Sequence, residues 1–167
     1  FKDIPSAAIM DGGATFFIAG AGTVKRYLQQ LHENFDIDKI KIFECLKTFR
    51  FGNDQTNDAT SCIVLPVFFG RKFGEILVYM VTGNTSFLLA RPIMEEIKLT
   101  VAFGRRAARW ESEPWFAAQR SHIGRYVIDL LEDFDLTYPH KKPLPISEYE
   151  APHTHGHVID DILNMHE

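Results

Sequence analysis

The chain has 167 residues, 46% apolar and 24% charged, which suits one ordinary globular domain with some additional length. No apolar run approaches the roughly 20 residues of a membrane-spanning helix, and a net charge of −4 gives no general reason to expect nucleic-acid binding. Two cysteines, Cys45 and Cys62, are too few for a disulfide framework or a four-cysteine zinc site, so a reducing, cytoplasmic setting is expected and both read as core residues.

In chain order, the short apolar runs are Ala7–Met10, Lys47–Phe51, Cys62–Phe69, Glu75–Val81, Phe87–Leu89 and Leu99–Phe103. Turn clusters such as Gly52-Asn53-Asp54, Gly70-Arg71-Lys72 and Thr82-Gly83-Asn84 bound them, which predicts strands. Two helices interrupt the pattern. Thr23 is placed to cap one in which Val24, Tyr27, Leu28 and Leu31 recur at i, i+3, i+4 and i+7. Pro92 opens a second, short one through Ile97. The fold class is therefore mostly β with two short helices, and the spacing reads as a small all-β barrel or sandwich.

Composition shifts near residue 110. Residues 1–110 hold 14 of 18 Lys+Arg and 9 of 11 Gly, whereas residues 111–167 hold 11 of 22 Asp+Glu and 5 of 8 Pro. Compact β structure favours the first mixture and linkers the second. The expected division is a folded domain over 1–110 and a loosely packed extension over 111–167. Within that extension Ile123, Tyr126, Val127, Leu130, Leu131 and Phe134 have helical spacing, and Pro139, Pro143, Pro145 and Pro152 read as an extended linker. The chain starts at Phe1 without an initiator Met or signal pattern, as expected of a segment of a longer polypeptide.

The stretch Ala7-Ala8-Ile9-Met10-Asp11-Gly12-Gly13-Ala14 carries the chemistry. An apolar strand delivers one carboxylate into a turn of small residues, with Phe16 and Phe17 directly after it. A partly desolvated Asp there is suited to acid–base work. Asp-Gly is also the commonest hairpin dipeptide, and by itself the stretch reads as a turn more readily than as a catalyst.

The order of elements over residues 5–110 resembles the retropepsin-like aspartic proteases of retrotransposon (copia- and gypsy-type) polyproteins. The family's Asp-Thr/Ser-Gly-Ala turn is matched by Asp11, Gly12, Gly13 and Ala14. Its second marker, an apolar pair followed by Gly-Arg and a short helix, is matched by Leu88, Leu89, Ala90 and Arg91. Its flap hairpin is matched by Phe49-Arg50-Phe51-Gly52-Asn53-Asp54-Gln55, of which Phe51, Gly52, Asn53, Asp54 and Gln55 are the expected substrate-binding tip. The resemblance implies a small closed β-barrel of the retropepsin type, and an aspartic endopeptidase that hydrolyses its own polyprotein without cofactor or metal, inside a retroelement particle. Two carboxylates sharing one proton are needed, and one chain offers one such turn, so Asp11 is expected to meet its copy in a homodimer. Activity is then expected to be highest at mildly acidic pH. The sequence departs from the family at Gly12, where a Thr or Ser hydroxyl normally locks the two loops together, and at Ala90, where Gly is usual. The alternative is therefore a catalytically impaired dimerisation or peptide-binding domain.

Three weaker signals remain. His153, His155 and His157 alternate as chelating histidines do, with Asp160 and Asp161 nearby, and adventitious metal affinity is the expectation. Arg105, Arg106 and Arg109 beside Trp110 read as a solvated turn rather than a nucleic-acid site. Ser121-His122 lacks a third partner for serine hydrolysis.

Overall fold

The computed structural model describes residues 4–37, 40–50, 54–121, 124–138 and 143–145. The strands are β1 (Ala7–Asp11), β2 (Ile18–Gly20), β3 (Ile42–Arg50), β4 (Thr56–Phe69), β5 (Lys72–Val81), β6 (Phe87–Ala90), β7 (Leu99–Ala102), β8 (Ala107–Trp110), β9 (Phe116–Ala117), β10 (Gln119–Arg120), β11 (Tyr126–Asp129) and β12 (Leu144–Pro145). The helices are α1 (Ala21–Leu31), α2 (Arg91–Glu96) and the single turn α3 (Phe134–Thr137). The protein is mostly β, as expected.

Among the described residues the large sheet is an open path, β10-β11-β1-β6-β2-β5-β4-β3, with β12 joined to β5. A second sheet runs β7-β8-β9. The closed barrel that the resemblance implies is not found among the described residues: β10 and β3 are the ends of the path. The β3–β4 pair instead projects as a long ribbon, with Ile42 opposite Ile63 at its base and Arg50 opposite Thr56 near its tip. A register shift between Glu44 and Lys47 marks a bulge in this ribbon.

Helix α1 begins two residues before Thr23. Its N-cap is Gly20, and Gly22 N–H donates to the Gly83 carbonyl at 2.9 Å, so a neighbouring loop meets the helix's first donors. Gly20 is required for this approach, because a Cβ there would lie 2.3 Å from Gly83 O. Thr23 is consequently buried inside the helix, not a cap. Val24, Tyr27, Leu28 and Leu31 form the buried stripe that the spacing predicts.

Tyr27 is fully buried, and its hydroxyl donates to the Pro66 carbonyl at 2.6 Å. Pro66 is tolerated in β4 because the β3 ladder ends at Ile63, leaving its missing N–H without consequence on that side. Tyr27→Phe strands a buried carbonyl and is expected to destabilise the fold by about 1–3 kcal/mol. The urea midpoint of the variant checks this.

The loose extension expected after residue 110 is corrected by packing. Strand β11 runs antiparallel to β1, with Ala7 opposite Asp129 and Ile9 opposite Val127. Val127, Ile128 and Leu130 are core residues, and Leu130 N–H donates to Ser6 O at 2.8 Å. The helix expected across 123–134 is therefore a strand followed by a turn and α3. Gly124, at φ +84°, cannot lie in a helix in that conformation, and β1 supplies an open edge for the Val127-Ile128 pair. Phe134 and Tyr138 close over Phe68, with ring centroids 4.8 and 6.2 Å away. The second sheet is attached by Trp110 and Phe116, whose rings lie 5.1 and 5.8 Å from Phe69.

Candidate functional site

Asp11 ends β1, and its placement depends on the neighbouring strand. β1 lies parallel to β6, with Met10 opposite Leu89 and Asp11 opposite Ala90. Leu89 and Ala90 are buried, so their role is to fix the strand that carries Asp11 rather than to face solvent. Beyond Asp11 the chain turns: Ala14 N–H donates to the Asp11 carbonyl at 3.1 Å, and Gly13 N–H donates to Asp11 Oδ1 at 3.0 Å. Arg91 then braces the turn twice. Its Nε donates to Gly12 O at 2.9 Å and its backbone N–H to Ala14 O at 3.1 Å. The residues read from sequence as one site, Asp11, Gly12, Gly13, Ala14 and Arg91, do come together.

Asp11 is half-buried at the mouth of a cleft of about 330 Å³. Gly13, Ala14, Thr15 and Phe16 form one wall, Ile18 and Leu88 lie alongside, and Phe49 and Arg50 approach from the ribbon. Phe16, Phe49 and Tyr79 make an edge-to-face trio with centroids 5.6–5.9 Å apart, and Lys47 Nζ lies 3.4 Å from the Phe16 ring centroid. The cleft thus combines a carboxylate, exposed turn backbone, an aromatic wall and a cation.

The expected flap tip divides. Phe51, Gly52 and Asn53 lie outside the described residues. Asp54, in the left-handed region at φ +62°, and Gln55 are exposed and do not line the cleft. The ribbon instead contributes Phe49 and Arg50, within the longer flap-like stretch. Phe16 and Leu88 were not expected as lining; which face of a strand meets the Asp11 turn depends on register, and no local signal marks it.

Gly12 is exposed, and a Cβ there meets nothing within 4 Å. Its φ lies outside the left-handed region, so the position has room for a side chain. Cys45 and Cys62 are free thiols, Cys62 buried and Cys45 half-buried. Burial, followed by the adjoining Cys45, pushes the Cys62 thiol up to about 12, which leaves it a packing group. Among the described residues no three His, Cys, Asp or Glu side chains gather as a metal-binding group, and the His153–His157 series lies outside them. No described helix is long and apolar enough to cross a membrane.

No family model, no curated protein and no solved structure matches this chain.

Proposed function

We propose that this protein is an aspartic endopeptidase of the retropepsin type, using one Asp11 from each chain of a homodimer to hydrolyse peptide bonds in its own retroelement polyprotein. The observation that carries the reading is the braced turn. A parallel β1–β6 pair brings Asp11 to the edge of a cleft with an aromatic wall, and Arg91 fastens the small-residue turn from the following element. A carboxylate so held has the rigidity that positioned acid–base chemistry requires.

In this reading one Asp11 carboxylate takes a proton from water as the water attacks the scissile carbonyl. The other, protonated, hydrogen-bonds to and protonates the carbonyl oxygen. The peptide lies extended, with one side chain against Phe16, Phe49 and Leu88. The test is cleavage of a mixed peptide library by the full chain at about pH 4–6, where a coupled carboxylate pair shares a proton. Defined cuts, blocked by a statine-type inhibitor, are expected. A preparation shown to be dimeric that cuts nothing contradicts the reading.

Bare Gly12 favours a second reading, a peptide-binding dimer that has lost turnover. Gly12→Thr separates them. The space around Gly12 admits the side chain, and one regained hydrogen bond is expected to raise cleavage up to about tenfold in an enzyme. In a binding domain it restores no cleavage, and peptide affinity measured by calorimetry persists.

A further inference from the structure

We propose that the face formed by β7, β8 and β9 with the adjoining β10–β11 pair binds single-stranded nucleic acid. This inference does not rest on the Asp11 cleft, which shares no lining residue with it.

The whole-chain charge of −4 conceals a local excess of the opposite sign. Residues 99–126 contain five arginines, at positions 105, 106, 109, 120 and 125, against two acids, Glu111 and Glu113. Both acids are already engaged, Glu111 with Lys98 at 3.8 Å and Glu113 with Lys72 at 3.0 Å. None of the five arginines forms an ion pair among the described residues. The charge available to an incoming anion is therefore larger than the raw count of acids and bases in this stretch implies.

Aromatic rings are interleaved with these cations. The guanidinium groups of Arg105 and Arg109 lie 5.3 and 4.7 Å from the Trp115 ring centroid. Arg109 Nε is buried there without an acceptor among the described residues. Phe103, 58% exposed, sets its ring against Tyr126 at 4.8 Å, and Tyr126 stands directly opposite Arg120 across the β10–β11 ladder. The Arg106 carbonyl accepts Ala118 N–H at 2.9 Å, which ties the hairpin turn to the segment leading into β10.

Cations and planar rings that alternate across two adjoining ladders match a strand of repeated phosphates with unpaired bases. Arginines neutralise the backbone while rings take base faces. A membrane is a poorer fit. Of the exposed large hydrophobics Ile4, Phe16, Leu46 and Phe103, only Phe103 lies on this face, too little apolar surface to insert. Acidic polypeptide would satisfy the cations but leave the rings without flat partners.

The experiment is fluorescence anisotropy of labelled dT20 with the full chain at about 50 and 200 mM NaCl. If four or five arginines each contact a phosphate, affinity is expected to fall about 50–130-fold across that interval. Arg105→Ala with Arg109→Ala is expected to lower the slope of log K against log salt by about 1.4, two contacts' worth. Phe103→Ala, an exposed change that spares the fold, is expected to weaken binding about tenfold at an unchanged slope. Three results each overturn the proposal: no binding at the lower salt, an unaltered affinity in both variants, or equal affinity for polyglutamate or a 20-base-pair duplex.

Discussion

On the proposed aspartic-protease reading, Asp11→Asn is expected to lower peptide cleavage by about 10²–10⁴-fold, the usual worth of a positioned acid–base group, and to leave the fold unchanged. The fold survives because Asn retains an Oδ1 that accepts the Gly13 N–H now received by the carboxylate at 3.0 Å. The β1–β6 register, the Arg91 brace and the buried Leu89 and Ala90 are likewise untouched. What Asn lacks is an ionisable carboxyl group, so it can neither take a proton from water nor deliver one to a carbonyl oxygen. Steady-state cleavage and a thermal melt on the same samples check both halves. A variant that keeps most of its activity removes Asp11 from the chemistry.

A chain ending at residue 110 will not fold, whereas one ending at residue 145, which keeps every described element, will. Removing β11 uncovers the edge of β1 and deletes Val127, Ile128 and Leu130, which are 4%, 0% and 0% exposed. At about 1.5–3 kcal/mol for each buried aliphatic side chain, the loss is roughly 5–9 kcal/mol. That is comparable with the whole net stability of a domain, about 5–15 kcal/mol. The shorter chain also loses Leu130 O, the acceptor for Phe68 N–H, and the Phe134 and Tyr138 rings that cover Phe68. Circular dichroism melts should show a cooperative transition for residues 1–145 and none for residues 1–110. A cooperative 1–110 fragment contradicts this account of the core.

The strands and helices that sequence periodicity revealed are those with a strong local signal. β4 carries eight consecutive buried residues from Cys62 to Phe69, and α1 has a four-residue apolar stripe, so both stand out. Strand β2 is three residues long and has no period to detect. The first half of β3 carries a weak signal because Glu44 interrupts its apolar run, although alternation across Phe43, Cys45, Lys47 and Phe49 continues through it. The apolar residues of β11 also fit a 3.6-residue repeat; pairing with β1 decides between helix and strand, and that partner lies over a hundred residues away in sequence. The domain boundary failed for the same reason. Proline and acid content carry no sign of β10, β11 and β12, the strands after residue 110 that join the large sheet.

The candidate site was legible where backbone geometry dictates residue type. A carboxylate followed by small residues marks a tight turn wherever it falls, and Arg91 follows β6 closely enough to be noticed with it. The cleft walls were not legible, since Phe16 and Leu88 resemble many other apolar residues until strand register turns them toward Asp11.

The most direct test of the paired-aspartate mechanism is a poisoning titration. Wild-type chain is co-refolded with increasing Asp11→Asn chain, and cleavage per wild-type chain is measured. If each active unit needs Asp11 from two chains and the chains pair at random, an equal mixture retains about half the activity per wild-type chain, falling in proportion to the wild-type fraction. Activity per wild-type chain that stays constant at every ratio means that one Asp11 suffices, and contradicts the shared-proton mechanism.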